Sequence, residues 1–497
     1  MRLLIVILNF FALTNAAKIL FVSFTNSKSH IGSMLPLAQA LSKRGHEVTL
    51  YVEVYKQLGD FNGIKSHYVI LKEPEDNWAM NTFMDRVWNH EGAPSGMVFP
   101  HLIGNEALSE AVTQDDFWTV ANQTWDLIIS DEVFTPTGYG LALMHAERHG
   151  TPHAVFSTTD TLHVFTTMLS LNRNPALGPS YYTSHKEPLY WHAADFVSRL
   201  NSVRSTMVEY ASIGILSEWL TSRAINQIGH IDFSWSHYYQ TAALVYVDYP
   251  DRFTWPIANG NDLIFVGSFC TGSKALPKEL EEFVNDPSSK GTVYVAFGSV
   301  VQWPFAPKRV VNAFVDALNN LTEYRVIWSY KGTPLTVKSH VRLVEWAPQI
   351  DLLHHPKTRL FVSHGGLKSL KEAICSETPV VYMPFFAEQI RTAMIGKQLG
   401  FAEYLNKFTI DAPMMIRRMS KILTDDSYQH SISRQKSLFD DRIASSLQEG
   451  VFWTEKVILQ GKTVFFKRSG MKLSWFQFLH LDLFIGMISI LAIVARS

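Results

Sequence analysis

Cysteine is scarce in this sequence, and neither sign of charge dominates it. Only Cys270 and Cys375 occur among 497 residues, so the composition implies no disulfide framework. The formal net charge is −1 and no long run of one sign is present, which argues against a nucleic-acid partner held by bulk electrostatics. Cys/His spacings typical of metal ligands and an Asp-x-Asp at a strand end are also missing. We therefore expect neither a metal nor a cofactor.

The two ends of the chain carry apolar stretches of different kinds. "MRLLIVILNFFALTNAAK" has the charged, apolar and small-residue parts of a secretory signal peptide, predicted over 1–17. The alternative is a buried first strand, but "AKILFVSF" already supplies one. At the other end, an uncharged run of 13 residues covers 483–495, short of the roughly 17 to 25 residues of a full span. We predict a marginal single-pass membrane anchor over 473–497, and the alternative is an amphipathic tail.

Strand and helix patterns alternate in two blocks, separated by a loop-rich passage. Continuous apolar runs followed by helical spacing are typical of parallel α/β sheets, and residues 160–240 are instead rich in aromatics, Met and helical pattern. We predict an N-terminal domain over 18–270, a linker over 271–289, a C-terminal domain over 290–450 and a segment over 451–472 that returns to the first domain. Two doubly wound, Rossmann-like domains place a ligand cleft between them, at the carboxyl ends of their strands.

The stretch "FVSHGGLKSLKEA", residues 361–373, predicts an anion site. A strand ends at His364, and a helix then begins at two glycines without an acidic first turn. Exposed backbone N–H groups and the helix dipole favour an anion there. His364 and Ser369 offer further donors, although a strand–glycine–helix turn is by itself a common feature of α/β proteins.

Side chains suited to a nucleotide surround this stretch. Trp346 follows a predicted strand and is either core or a stacking platform for a base, and Gln349 offers donors and acceptors to a base or sugar. Glu372 falls three residues after Ser369, on the same side of the helix. Glu388 and Gln389 follow another predicted strand, at the same edge of the sheet.

Residues 346–389, "WAPQIDLLHHPKTRLFVSHGGLKSLKEAICSETPVVYMPFFAEQ", resemble the donor-binding signature of the UDP-glycosyltransferases over its full 44-residue length. "VYVAFGS", "RVIWSYKG", "LPKELEEFV" and "FWTEKVI" extend the similarity and make animal UDP-glucuronosyltransferases the nearest relatives. The resemblance is weakest between about 55 and 240. It implies the GT-B type of glycosyltransferase fold.

The resemblance also implies roles for individual donor-site residues. Uracil would stack on Trp346, Gln349 would contact the uridine, and Glu372 would bind ribose. The diphosphate would be held by Ser299, His364, Gly366 and Ser369, and the sugar hydroxyls by Glu388 and Gln389.

The sequence departs from the usual signature in four ways. Lys368 and Glu388 replace asparagine and aspartate, Glu377 and Thr378 replace the usual glycine before a proline, and Thr392 replaces asparagine. Lys368 in the first helical turn opposes the helix dipole. Either an adjacent diphosphate offsets this cost, or Lys368 forms a surface pair with Glu372.

A histidine and a carboxylate lie at the ends of two predicted strands of the first domain. His30 follows the first strand in "NSKSHIGS", and Asp131 ends "DLIISD". Both strand ends lie on one edge of a parallel sheet, so the two side chains can meet. Histidine suits a general base because its pKa lies near working pH, and the resemblance gives His30 as the base and Asp131 as its partner. Glu132 is a weaker substitute for Asp131, and a solvated loop histidine is the alternative for His30.

These observations predict an inverting UDP-sugar transferase. Glucuronate or glucose would pass from UDP to a hydroxyl of a small lipophilic acceptor, a detoxification reaction in the resembling enzymes. The signal peptide, the tail and the glycosylation triplets at Asn122 and Asn320 fit an endoplasmic reticulum membrane protein with lumenal domains. A homo-oligomer is compatible with the sequence and not required by it. The alternatives are a catalytically silent relative that binds UDP-sugar or lipid, and a soluble secreted transferase.

Overall fold

A computed structural model describes residues 16–495 except positions 62, 74–77, 172, 187–188, 257 and 462–466. The predicted signal peptide therefore lies almost wholly outside the described residues, as do the last two residues. The strands are β1 (Lys18–Ser23), β2 (Glu47–Val54), β3 (Lys65–Ile70), β4 (Leu127–Asp131), β5 (His153–Ser157), β6 (Val245–Val247), β7 (Leu263–Phe265), β8 (Thr292–Ala296), β9 (Arg325–Ser329), β10 (Val341–Val344), β11 (Thr358–Ser363), β12 (Val380–Tyr382) and β13 (Ala402–Tyr404).

Helices connect most of these strands. They are α1 (Lys28–Lys43), α2 (Trp78–Asn89), α3 (Val98–Ala111), α4 (Asp115–Ala121), α5 (Pro136–His149), α6 (His163–Met168), α7 (Phe196–Glu209), α8 (Glu218–Ile225), α9 (Trp235–Thr241), α10 (Lys278–Val284), α11 (Lys308–Asn320), α12 (Gln349–Leu353), α13 (Leu367–Cys375), α14 (Gln389–Gln398), α15 (Ala412–Thr424), α16 (Ser427–Asp440), α17 (Ser446–Gln460), α18 (Trp475–Phe478) and α19 (Leu481–Val494). A π-helix, Tyr210–Ser217, joins α7 to α8.

The strands form two parallel, doubly wound sheets, and this confirms the predicted fold class. The first sheet has the order β3-β2-β1-β4-β5-β6-β7, and the second has the order β10-β9-β8-β11-β12-β13. In β1 only Lys18 is exposed and the next five residues are buried, because helices cover both faces of such a sheet. The predicted aromatic-rich stretch lies between β5 and β6, and the predicted linker contains α10.

Neighbouring strands bring the candidate site residues to shared edges. In the first sheet β1 lies beside β4, with Val22 opposite Ser130, so the loops that follow both strands are adjacent. In the second sheet β11 lies between β8 and β12. The loops after β8, β11 and β12 therefore meet at the carboxyl edge.

Ion pairs and hydrogen bonds join the half of the chain that contains the first sheet to the half that contains the second. Lys371 Nζ lies 2.8 Å from Asp248 Oδ1, and Arg391 Nη2 lies 3.0 Å from Asp160 Oδ2. Trp88 Nε1 donates to the carbonyl of Gln302 at 2.9 Å. Each contact joins a residue of the first half of the chain to one of the second. These contacts therefore hold the two halves together.

The two cysteines form a disulfide, which composition alone did not indicate. Cys270 follows the first sheet and Cys375 ends α13, and their Cα atoms are 5.6 Å apart. A bond between such distant positions depends on the fold rather than on spacing. Nearby, the hydroxyl of Ser446 donates to the carbonyls of Val266 and Ser268 at 3.0 and 2.9 Å.

The C-terminal part of the chain first returns to the N-terminal half and then leaves it. On α17, Glu455 Oε1 accepts from Arg44 Nε at 2.9 Å, and Val457 is buried. The later helix α19 is exposed along its whole length. Among the described residues, none of the helices combines the length and the apolar character needed to cross a membrane.

Candidate active site

A histidine–carboxylate pair lies at the carboxyl edge of the first sheet. His30 Nδ1 is 2.6 Å from Asp131 Oδ2, and the Asp131 side chain is fully buried. The Thr158 hydroxyl donates to Asp131 Oδ1 at 2.9 Å and contacts His30 Nδ1 at 2.9 Å. With Nδ1 turned to the carboxylate, the imidazole keeps Nε2 for a second partner. A neutral imidazole with its proton on Nδ1 is the tautomer that a general base requires, because Nε2 is then free to accept a proton.

Local structure holds this pair in place. The Ser27 hydroxyl caps α1 by accepting the backbone N–H of His30 at 3.4 Å, and this fixes the start of the helix. Glu132 points away from His30, because its carboxyl group accepts hydroxyl donors from Ser157 and Tyr239. Burial raises the pKa of Glu132 to about 8. The structure therefore pairs His30 with Asp131 and not with Glu132.

Helix α13 begins without a side-chain cap of its own. Gly365 has a φ of 87°, a backbone conformation that favours glycine, and Gly366 occupies the N-cap position. The first helical N–H, from Leu367, donates to Glu388 Oε1 at 3.2 Å. The N-terminus of a helix stabilises an anion, because its first N–H groups have no partner within the helix.

The imidazole of His364 lies between two glycines. A Cβ on Gly366 would be 2.5 Å from His364 Nε2, and a Cβ on Gly298 would be 3.0 Å from its Cε1. Burial lowers the pKa of His364 to about 4, so the ring is neutral at physiological pH. Ser299, which follows Gly298, is exposed at the same edge.

Four predicted nucleotide contacts cluster at the edge of the second sheet. Trp346 is 76% exposed, two residues past the end of β10, as a stacking platform would be. Gln349 Nε2 donates to Glu372 Oε2 and lies 3.4 Å from Ser369 Oγ. The hydroxyl of Tyr294 donates to Gln349 Oε1 at 3.1 Å, a contact that sequence reasoning missed.

Lys368 has a partner that the sequence did not suggest. Its ammonium group donates to the backbone carbonyl of Ser29, next to His30 in the first half of the chain. Burial lowers the pKa of Lys368 to about 8. The sequence could not show this contact, because it exists only when the two halves are closed on each other.

The side chains of Glu388 and Gln389, predicted to hold sugar hydroxyls, accept hydrogen bonds from the protein's own backbone. Gln389 Oε1 accepts the backbone N–H groups of Phe385 and Phe386 at 2.9 and 3.3 Å. Glu388 accepts from Leu367, and burial raises its pKa to about 7, an effect that the nearby His30 opposes. Both residues lie beyond the end of β12 rather than directly at it.

The protonation of Glu388 predicts a pH dependence of nucleotide binding. Below about pH 7 the carboxyl group is mostly neutral, and above it a charge develops beside the helix start. From about pH 6 to about pH 8 we expect the UDP dissociation constant of the wild type to rise about tenfold relative to that of Glu388→Gln, because like charges repel in a partly dry site. Isothermal titration of both proteins measures this ratio, which also cancels the titration of UDP itself. Equal pH profiles would contradict the prediction.

Two further polar residues complete the cleft and were not predicted. Asp160, which follows β5, pairs with Arg391 of α14, and the Arg391 guanidinium lies 5.1 Å from the ring centroid of Tyr181. Tyr181 and Arg391 also line a pocket beside this pair. Asp160 and Arg391 are far apart in the chain, and a single sequence does not reveal which distant residues pair. The predicted glycosylation positions Asn122 and Asn320 are both exposed.

Comparison with known proteins gives a consistent result. The family model "UDP-glucoronosyl and UDP-glucosyl transferase" matches residues 17–496. A UDP-glucuronosyltransferase of Pleuronectes platessa is 33% identical over 46% of this chain and 49% of its own length. UDP-glucuronosyltransferase 2A3 of Homo sapiens is 34% identical over 44% of this chain and 41% of its own length. The chain thus spans about half the length of these curated relatives.

A longer alignment and two solved structures extend the comparison. UDP-glucuronosyltransferase 1A1 of Homo sapiens is 25% identical over 97% of this chain and 90% of its own length. The glycosyltransferase VinC in complex with dTDP has a TM-score of 0.59 at 16% identity, over 89% of this chain and 100% of its own. The spinosyn forosaminyltransferase has a TM-score of 0.58 at 16% identity, with the same coverage. These structures show that the fold is of the GT-B type.

Proposed function

The chain belongs to the UDP-glucuronosyl and UDP-glucosyl transferase family, and from this we propose that it transfers a sugar from a UDP-sugar to a hydroxyl group. The proposal extends the family assignment to named residues of this chain. The acceptor we propose is a small lipophilic alcohol, phenol or acid, because the helical region between β5 and β6 is rich in aromatic and Met side chains.

One observation carries the proposal: the His30–Asp131 pair lies close to the start of α13, whose N-cap residue is a glycine without a side-chain cap. Lys368, in the first turn of α13, donates a hydrogen bond to the carbonyl of Ser29, the residue before His30. Glu388 accepts a hydrogen bond from the backbone N–H of Leu367 at the same helix start, and it interacts electrostatically with His30. A base and an anion site are therefore close enough to act on opposite faces of one anomeric carbon.

The chemistry follows from this arrangement. The acceptor hydroxyl gives its proton to Nε2 of His30, and its oxygen forms a bond to C1 of the sugar. The bond from C1 to the diphosphate oxygen breaks on the opposite face, so UDP leaves with the electron pair and the anomeric configuration inverts. Asp131 stabilises the imidazolium ion. The N–H groups at the start of α13 stabilise the charge on the departing diphosphate.

The donor is proposed to lie along the edge of the second sheet. Trp346 stacks on uracil, which contributes roughly 1–3 kcal/mol in comparable base–aromatic contacts, and Gln349 and Glu372 contact the uridine and its ribose. Ser299, His364, Gly366 and Ser369 line the path of the diphosphate. Glu388 and Gln389 lie nearest to the sugar.

Incubation of the full chain with labelled UDP-glucose and UDP-glucuronate and a panel of phenols tests the function. We expect UDP release and a glycosylated phenol with at least one of the two donors. The departures at Lys368, Glu377 and Glu388 motivate the second candidate, a silent relative that binds UDP-sugar or lipid. Tight UDP binding without turnover of either donor would favour that candidate and contradict transfer.

We further propose that the enzyme acts in the lumen of the endoplasmic reticulum, held there by its C-terminal segment. The apolar run over 483–495 and the exposed Asn122 and Asn320 support this location. Carbonate washing of membranes tests the attachment. Release of most of the protein would favour a soluble secreted enzyme instead.

A further inference from the structure

A long helical segment of the first half of the chain exposes large apolar side chains. Residues 196–225 run continuously through α7, the π-helix and α8. Its large apolar side chains that are more than half exposed are Phe196 (67%), Val197 (58%), Leu200 (52%), Met207 (69%), Ile215 (62%) and Trp219 (54%). Single exposed apolar residues are ordinary, but a contiguous set on one element marks an interaction surface.

The π-helix keeps these side chains on one face. Four-residue steps connect Phe196 to Leu200, and then Met207 to Ile215 and Trp219 through the exposed Ala211. On an α-helix of about 3.6 residues per turn, repeated steps of four drift around the axis. The wider π turn over 210–217 removes that drift. We call the resulting face, formed by 196, 200, 207, 211, 215 and 219, the apolar stripe.

The exposed charged residues within 196–225 have one sign. Arg204 and Arg223 are exposed, and the Arg223 guanidinium lies 4.8 Å from the ring centroid of Trp219. The acidic residues of the segment face inward. Glu209 is buried and accepts the backbone N–H of Val164 at 2.7 Å, and Glu218 accepts that of Trp235 at 2.7 Å. The exposed face therefore offers apolar and cationic groups, the combination that anionic lipid surfaces attract.

The chain's own apolar tail leaves from the edge of the same segment. Tyr210 lines a pocket together with Met471 and Leu473, and Gln240 Nε2 donates to the carbonyl of Met471 at 2.8 Å. The tail then continues into α19, whose apolar side chains are all exposed. At about 1.5 Å per residue, the 14 residues of α19 are shorter than the roughly 30 Å hydrocarbon core of a bilayer.

We propose that the apolar stripe lies on the surface of an anionic lipid bilayer, next to the site where α19 enters it. The tail and the stripe share one edge of the molecule, so a membrane reached by α19 also meets the stripe. Apolar side chains enter the boundary between headgroups and acyl chains, and Arg204 and Arg223 pair with lipid phosphates. The contact is independent of the proposed sugar transfer and uses none of its residues.

An environment-sensitive fluorophore on the stripe tests the contact. The native cysteines are bonded to each other, so Ile215→Cys accepts a single label, and Leu438→Cys, an exposed position on α16 (42%), is the matched control. The full chain is bound to phosphatidylcholine vesicles that contain phosphatidylserine and nitroxide-labelled lipid. We expect the label at 215 to shift to the blue and to lose at least about half of its emission. The label at 438 should keep the emission that it has in water.

Two results would overturn the proposal. One is equal lipid quenching at both positions while the protein is vesicle-bound. The other is shielding of the 215 label without lipid, together with a concentration-dependent dimer, which would assign the stripe to a second copy of the chain. UDP-sugar turnover of the same labelled proteins in detergent is measured in parallel, so a failure of the lipid contact and a failure of the transferase activity are read separately.

A second variant tests the charges. Arg204→Glu combined with Arg223→Glu should weaken binding to the anionic vesicles by at least about fivefold per arginine, and high salt should reduce the difference between variant and wild type. Turnover in detergent should stay at the wild-type value. Unchanged vesicle affinity in the variant would contradict the assignment of these arginines to a lipid surface.

Discussion

Replacement of His30 by alanine is expected to lower the rate of sugar transfer by about 10²–10⁴-fold, the usual contribution of a general base. The affinity for UDP should change less than about twofold, because UDP is proposed to contact the second sheet and the start of α13 rather than this imidazole. Single-turnover kinetics with a phenol acceptor and titration with UDP measure the two quantities. A large loss of UDP binding would contradict the assignment of His30 as the base.

Two control variants separate the base from its support. Asp131→Asn removes the charge that orients the ring at 2.6 Å and should shift the pH profile of transfer as well as its rate. Thr158→Val removes one hydroxyl donor to Asp131 and should have a smaller effect. A Thr158→Val enzyme as slow as His30→Ala would indicate that the threonine touches the reacting atoms.

Replacement of Lys371 by methionine is expected to destabilise the fold by about 3–5 kcal/mol, because it leaves Asp248 charged, buried and unpaired. The Lys371 side chain is one-tenth exposed and that of Asp248 is fully buried. Among the described residues Asp248 Oδ2 already has no hydrogen-bond partner, so Asp248 depends on Lys371. The urea concentration at half-unfolding, monitored by fluorescence, gives the change in the free energy of unfolding.

A double variant and a surface pair control this result. Lys371→Met combined with Asp248→Leu removes both charges and should recover most of the loss. Lys278→Met breaks a pair with Glu282 that is exposed on both sides and should change the free energy of unfolding by less than about 1 kcal/mol. If all three variants unfold at the same urea concentration as the wild type, the buried pair does not hold the two halves together.

How much of the site the sequence could predict depends on how far apart its residues lie in the chain. Trp346, Gln349, Ser369 and Glu372 fall within the short stretch 346–372, which runs from the end of β10 to α13, so their spacing already placed them together. His30 and Asp131 could be brought to one edge because parallel strands share their carboxyl ends. Their roles in transfer stay predictions.

The missed features are all pairings across long stretches of chain. Thr158 joins the His30–Asp131 pair from a third strand, and the contact of Lys368 with Ser29 spans 339 positions. Arg391 reaches Asp160 from the other half of the molecule. Such pairings depend on how two sheets close on each other. Local propensity and periodicity carry no information about that closure.

The disulfide ties together the places where the chain crosses between its two halves. Cys270 is bonded to the end of α13, so the first connection between the halves is fixed to the second sheet at that residue. The Ser446 hydroxyl donates hydrogen bonds to the carbonyls of Val266 and Ser268, where the second connection returns to the first sheet. Both connections are thus anchored on either side of Phe269, and the two halves cannot separate there while the disulfide is intact.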